Sequence, residues 1–406
     1  MTDMAQETSS TNTKKVLIVT GVLWRGGGAE KVAATLGNAL LARGYDVHLL
    51  TFYEAIEQYP YHGTYHTFAE PARSKLAKLW GIPQRIYRIA RYIKQHQFDH
   101  VYAFLEEANF YTLVAKRLFR LPQPVVVSVR NNTRSRSRLV QWLMGRLYPR
   151  AHAVVCVTRG IEEMMQHDHG LTNLTTIYNP IDTDEAAARA AEPVPEPDRE
   201  LLARTPLFLH IGRHTHQKGQ WSLLRAFAQV HTERPSAQLV MLGDGPDTAK
   251  LEALIEQLAL TDAVHLLGKR SNVLPYLKAA DVAVSASLWE GMPNTLLEAL
   301  SVGTPIVATD CATGPREIMA PELTPSEPIT YPYLTPIGTL TTPLAPEAIY
   351  QTLAEHPLTP AETELAEQML AALTTSYDPA AFTTRTADFA VGETIDQWEA
   401  LLSNVV

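Results

Sequence analysis

Residues 281–318 read DVAVSASLWEGMPNTLLEALSVGTPIVATDCATGPREI, and this stretch decides the fold. Val282–Ser285 is a short apolar run suited to a buried strand, a loop carrying Glu290 follows it, and Thr304–Thr309 is a second apolar run. Local signals predict a helix between them. Pro293 suits its first turn, Leu296, Leu297 and Leu300 form an apolar face, and Gly303 stands where a left-handed cap is needed. The free N–H groups of Asn294 and Thr295 would make an anion site just past the strand end. Glu298 lies ~7 Å further along, at about 1.5 Å per residue. Helical side chains lean toward the N-terminus, so its carboxylate points back to whatever that end holds. A diphosphate at the helix start and a ribose diol at Glu298 fit a nucleotide laid across the unit. The plainer alternative is an ordinary βαβ unit with a solvated loop glutamate. It does not account for Glu290, the Pro-Asn-Thr start and Glu298 occurring together.

The same alternation extends outward. Pro206–Gly212, Gln238–Leu242 and Ala263–Leu267 read as strands of one series, and Val16–Thr20, Tyr45–Phe52, His100–Phe104, Pro124–Val129 and Ala153–Thr158 as strands of another. Helical patterns separate them, which indicates α/β architecture with parallel sheets covered on both faces. The polar residues 1–13 read as a disordered tail and 14–182 as a first domain, closed by IYNPID. Residues 183–205, rich in Ala, Pro and acid, read as a linker. A second domain is expected over 206–376 and terminal helices over 377–406, with little regular structure in the proline-dense stretch 320–360.

At 406 residues and 46% hydrophobic, the chain can bury two domain-sized cores. Two cysteines, Cys156 and Cys311, make no disulfide framework and suit a reducing, cytoplasmic setting. No apolar run is long enough to span a membrane. Charge is divided unevenly. Residues 1–182 hold 22 Lys and Arg against 14 Asp and Glu, whereas 183–406 hold 13 against 29. A basic half on an acidic protein calls for an anionic partner, and no nucleic-acid motif accompanies it. Two stretches carry most of the basic charge without any acid, Pro71–Phe98 and Arg130–Arg150, and both interleave it with apolar residues such as Trp80, Leu139 and Trp142. That pattern suits the cytoplasmic face of an anionic membrane or a lipid diphosphate. The alternative is a pair of amphipathic helices with solvated arginines. Near the N-terminus the loop Trp24–Glu30 follows a strand, where open α/β sheets bind ligands. Its glycines Gly26, Gly27 and Gly28 permit close backbone approach to a phosphate or sugar, although the pattern is not GxGxxG.

The segment EGMPNTLLEALSVGTPIVATDCATGPREI, with Glu290 and Glu298 eight apart, resembles the large family of retaining glycosyltransferases known as family four. The version here is most similar to bacterial enzymes that extend surface polysaccharides, lipid-linked oligosaccharides or protein glycans. The resemblance implies the GT-B fold, two Rossmann-like domains facing across a cleft, with a last helix returning to brace the first domain through Trp398. It implies transfer of a hexose or N-acetylhexosamine from a nucleotide sugar, UDP-linked, to a glycan or polyprenyl-diphosphate-linked acceptor, with no further cofactor. In HIGRHTHQKG, Arg213 and Lys218 occupy the family's places against the donor diphosphate. Fixed cations there stabilise the departing nucleoside diphosphate and replace a divalent metal. Glu290 falls beside the transferred sugar, and Met292, where many relatives have Phe, joins Asn294, Thr295 and Glu298 in holding the donor. Gly27 and Gly28 belong to the family's GGAE segment, and Arg270 to the loop that holds the base. Arg130 stands where many relatives carry a histidine; it can act as a cation or hydrogen-bond donor, not a base at neutral pH. His210, His214 and His216 read as loop histidines, with no metal expected. Two other readings stay open: a sugar-nucleotide epimerase or phosphorylase on the same fold, and an inactive nucleotide-sugar-binding partner.

Overall fold

The computed structural model describes residues 13–24, 28–70, 75–134 and 136–403, the side chains of 75–80 and 403 excepted. Apart from Thr13, the expected tail lies outside these residues, as do Gly27 and the side chain of Trp80. The first sheet contains β1 (Lys15–Thr20), β2 (Asp46–Thr51), β3 (Thr64–Thr67), β4 (His100–Phe104), β5 (Val125–Val129), β6 (Ala153–Cys156) and β7 (Leu174–Thr176). Their order is β3-β2-β1-β4-β5-β6-β7, and every pairing is parallel. Successive side chains of a strand point to opposite faces. Accordingly Leu17 and Val19 pack with Ile89, Ile93 and Leu113, while Val16 and Ile18 pack with Leu36, Leu40 and Trp398.

The second sheet runs β10-β9-β8-β11-β12-β14-β13. Its strands are β8 (Leu207–Ile211), β9 (Gln238–Leu242), β10 (Val264–Gly268), β11 (Val282–Ser285), β12 (Ile306–Thr309), β13 (Tyr333–Thr335) and β14 (Gly338–Thr341). All pairings are parallel except β13 with β14. These are the two Rossmann-like domains of a GT-B fold.

The stretch 320–360 is sparse in regular structure, as expected; its strands form the β13–β14 hairpin, which closes one edge of the second sheet. Its residues alternate polar and apolar too briefly to stand out from the surrounding prolines. The segment 183–205, expected as a linker, holds the helices Thr183–Ala190 and Glu196–Leu202. Asp182 caps the first by accepting from Glu185 N at 2.9 Å, satisfying one of the free amides of a helix start.

The last helix, Val391–Ser403, lies on the first domain. Trp398 is 1% exposed, stacks on Phe104 at 5.4 Å and accepts Tyr102 Oη–H at its carbonyl. The chain therefore crosses between the domains twice, at 177–182 and again before 391. Ile181 N bonds Phe389 O at 2.7 Å, and Val391 N bonds Ile181 O at 2.9 Å, so the two crossings are hydrogen-bonded to each other.

Candidate active site

In parallel α/β sheets the carboxyl ends of the strands carry the ligand loops, and here both sets of loops meet. After β8 the chain turns through Gly212 and Arg213 into a short turn that carries Lys218. Gly219 follows at φ +58, where an added Cβ would lie 2.1 Å from Ala286 O. Only glycine tolerates both that conformation and that approach. The turn therefore packs directly on the loop after β11 and delivers Lys218 to Glu290. Lys218 Nζ donates to Glu290 Oε1, Ser287 Oγ donates to the same oxygen at 2.7 Å, and Gln217 Nε2 reaches Oε2 at 3.3 Å. Glu290 is 6% exposed, so these donors are what makes its charge tolerable.

The next residue joins the two domains. Gly291 pairs with Asn131 as an isolated antiparallel bridge, and a Cβ on Gly291 would lie 2.1 Å from Arg130 O. The backbone of Arg130, just past the end of β5, is thereby brought against the residue that follows Glu290. The Arg130 guanidinium lies 5.7 Å over the Phe104 ring, donates to Ser128 Oγ at 3.4 Å and also donates to Asn179 Oδ1. Burial pulls the group down to about 9, with Glu30 opposing the shift, so it remains a cation at neutral pH. Asn179 donates in turn to Asn294 Oδ1 at 2.6 Å and to Met292 O at 3.4 Å.

Asn294 opens the helix Asn294–Ser301, as the sequence predicts. Its amide lies 2.8 Å from where Gly28 would carry a Cβ, so the helix starting at Gly28 and the helix starting at Asn294 meet across the cleft. One turn further in, Lys31 Nζ and Glu298 Oε1 pair at 2.7 Å. Thr295 is half-buried beside Asn294. Arg213 is exposed on the rim, and its charge is felt by Glu30, a buried carboxylate in the first turn of the Gly28–Ala42 helix. Burial raises Glu30 above the usual carboxylate range, against the pull of Arg213 and Arg130.

The structure thus gathers Gly28, Arg130, Lys218, Glu290, Met292, Asn294 and Glu298 into one interdomain cluster. It does not gather Arg270. That side chain is bound to Asp198 at 2.7 and 3.0 Å and to Tyr276 Oη at 3.0 Å, which anchors the Glu196–Leu202 helix. The histidines of 210–216 turn to separate partners: His210 to Val284 O, His214 to Thr248 Oγ1 and His216 to Pro346 O. Burial pushes His210 down to about 4, so it is neutral. Lys31, Asn179 and Glu30 were not singled out in the sequence. IYNPID and the helix start were visible there, but not what they face.

On the first-domain side, Arg85 was counted among the basic residues of an outer surface, yet it is 1% exposed. It donates to both oxygens of Glu70 and to Glu107 Oε1 at 2.6 Å, and Tyr53 Oη–H donates to the same Glu107 oxygen at 3.0 Å. Glu107 Oε2 approaches Gly21 at the end of β1. Among the described residues no helix is long and apolar enough to cross a membrane.

Both halves of the chain are similar to known proteins. The family described as Glycosyl transferases group 1 matches residues 196–324, and Glycosyltransferase Family 4 matches residues 26–185. An uncharacterized glycosyltransferase of Methanocaldococcus jannaschii is 32% identical over 97% of this chain and 100% of its own length. A Campylobacter jejuni enzyme is 28% identical over 72% of this chain and 80% of its own; it is an N-acetylgalactosamine-N,N'-diacetylbacillosaminyl-diphospho-undecaprenol 4-alpha-N-acetylgalactosaminyltransferase. Among solved structures, Anabaena HepE in complex with UDP and glucose superposes with a TM-score of 0.74 at 18% identity. That match covers 97% of this chain and 100% of the other.

Proposed function

The chain belongs to the group 1 glycosyltransferases, and from that premise we propose a retaining, metal-independent enzyme. It moves a hexose or N-acetylhexosamine from a UDP-linked donor to a lipid-linked glycan. The observation that carries this reading is the single cluster in which Lys218 and Glu290 adjoin the helix start bearing Asn294 and Glu298, opposite Arg130. The UDP in the Anabaena structure and the diphospho-undecaprenol substrate in the Campylobacter enzyme's name support the choice of donor and acceptor.

The chemistry follows from the charges. The diphosphate lies at the start of the Asn294–Ser301 helix, where free N–H groups and the helix dipole favour an anion. Breaking the bond between the sugar C1 and the phosphate oxygen leaves negative charge on that oxygen, and Lys218 and Arg213 stabilise it as it develops. The acceptor oxygen attacks C1 from the same face, and its proton passes to the departing phosphate oxygen. Glu290, held by Lys218 and Ser287, orients the sugar's hydroxyls. Arg130 supplies a further cation from the opposite domain. Incubation with UDP-, GDP- and ADP-sugars, scored by the shift in melting temperature, tests the donor; stabilisation by UDP-sugars alone is the expected result. Preference for a GDP- or ADP-sugar would refute that assignment.

We further propose that the enzyme meets an anionic membrane through the outer face of the helices Lys75–His96, Leu105–Phe119 and Arg138–Leu147. Tyr87, Leu118, Leu139 and Trp142 are exposed there at 52, 66, 65 and 60%. Arg117, Arg138 and Arg146 are exposed beside them. Apolar side chains ringed by cations suit insertion at a lipid headgroup boundary.

A further inference from the structure

Lys31 and Glu298 face each other from opposite domains, and nothing in the proposed reaction yet uses the lysine. Lys31 stands on the Gly28–Ala42 helix, one turn in from the residue that touches Asn294; Glu298 stands one turn into the Asn294–Ser301 helix. Their contact is 2.7 Å, with side-chain exposures of 33 and 20%, so the pair is partly shielded from water. Such a charge-assisted contact exists only while the two domains are together. Beside it is a cavity of about 50 Å³ lined by Lys31, Leu274, Asn294, Leu297 and Glu298. That space suits a water or two, whereas sites for drug-sized ligands run to about 300 Å³ or more. A nucleoside seated at Glu298 would have to share this carboxylate with Lys31. A carboxylate offers about four lone-pair sites. One ammonium therefore leaves Glu298 able to accept both hydroxyls of a ribose.

We propose that Lys31 is a positioning residue of the nucleotide site: it fixes the Glu298 carboxylate from the opposite domain and so makes nucleotide binding and domain closure a single event. This rests on the sugar-nucleotide reading above. Without Lys31, Glu298 is free to rotate, and the nucleotide loses both a preorganised acceptor and the closure that shields it. Lys31 is charged in this setting, because the facing carboxylate raises its pKa against the effect of burial.

Calorimetry with UDP, ADP and GDP on Lys31→Met, Lys31→Arg, Glu298→Gln and the Lys31→Met/Glu298→Gln double variant tests this, with small-angle scattering to follow closure. Lys31→Met should weaken the bound nucleotide about tenfold, the scale of one charged hydrogen bond, and abolish the compaction seen on binding. Lys31→Arg should restore both. Adding Lys31→Met to Glu298→Gln should cost little more, since the two act as a unit. Unchanged or tighter binding in Lys31→Met, or fully multiplicative losses in the double variant, would overturn the proposal. Lys31→Gln serves if the methionine variant does not fold. The two readings separate cleanly. Binding of ADP or GDP in place of UDP removes the UDP assignment, and the same cycle run on that nucleotide then decides the role of Lys31. Binding of none of the three by wild type removes both.

Discussion

Replacing Gly291 with alanine should inactivate the enzyme while leaving each domain folded. The added Cβ would lie 2.1 Å from Arg130 O and 2.8 Å from its carbonyl carbon. Those are backbone atoms at the end of β5, so no side chain can swing aside. Ordinary van der Waals contact begins near 3.4 Å, so the two loops must separate by roughly 1 Å or more. Reacting groups displaced by about 1 Å lose on the order of 10²-fold in rate. Here the displaced groups are the Arg130 strand end and the Glu290–Gly291 loop, whose backbone approach sets the first domain's cation relative to the proposed sugar site. UDP should still bind through Lys218, Asn294 and Glu298 of the second domain, weakened at most about tenfold, the loss expected from loosening the Lys31–Glu298 pair. Release of UDP from a UDP-sugar in the presence of acceptor measures the rate, calorimetry measures UDP affinity, and thermal melting reports folding. A turnover within about threefold of wild type would show that the Gly291–Arg130 contact is not part of the working enzyme, against the positional sensitivity expected.

Lys218→Ala should lower turnover by about 10²–10³-fold, the cost of one transition-state donor, and transfer should survive EDTA; rates above a tenth of wild type, or loss of activity on chelation, would contradict the cation roles assigned here. Glu298→Ala should weaken bare UDP, whereas Glu290→Ala should impair sugar transfer more than UDP binding, and calorimetry with UDP and with intact donor separates them. Glu362→Ala should destabilise the second domain by about 3–5 kcal/mol, because it strips the carboxylate from Arg225, whose side chain is 0% exposed; chemical denaturation followed by tryptophan fluorescence measures this. Trp142→Ser with Leu139→Ser should abolish flotation on vesicles containing anionic lipid without changing UDP affinity; undiminished flotation would place the membrane contact elsewhere.

The central strands were legible because a parallel strand buried on both faces is a nearly continuous apolar run. His100–Phe104, Gln238–Leu242 and Val282–Ser285 were read with the boundaries they have. Thr64–Thr67, Leu174–Thr176 and the Tyr333–Thr335 strand were not, because edge strands of three or four residues are half-solvated and rich in Thr and Tyr. The site divided in the same way. Glu290, Asn294 and Glu298 lie on one unit whose spacing is visible along the chain. Their partners are set by how two domains dock: Lys31 is 267 residues from Glu298, and Asn179 is 115 from Asn294. No local period encodes such a pair.

The arginines illustrate why counting charge along a chain differs from locating it in space. The stretch Arg130–Arg150 contains no acid, yet Arg134 is bound to Asp168 at 2.8 and 3.1 Å and Arg136 to Glu106 at 3.0 Å. Arg134 in turn holds the Asp168 carboxyl down at about 2. Arg130 faces inward to Asn179, and Arg85, from the other stretch, is buried between Glu70 and Glu107. Of the basic residues in these two stretches, these four are therefore already neutralised or enclosed. Each free Lys or Arg near an anionic surface contributes about 1 kcal/mol, screened over roughly 8 Å at physiological salt. Arg117, Arg138 and Arg146, the cations beside this apolar patch, would by themselves supply a weak, salt-sensitive attraction. In the proposed contact the larger contribution would come from Leu118, Leu139 and Trp142, since burying one such side chain is worth about 1.5–3 kcal/mol. Membrane attachment through this face should consequently persist at salt concentrations that abolish a purely electrostatic contact, and the apolar substitutions should release the protein more completely than reversal of Arg138 and Arg146.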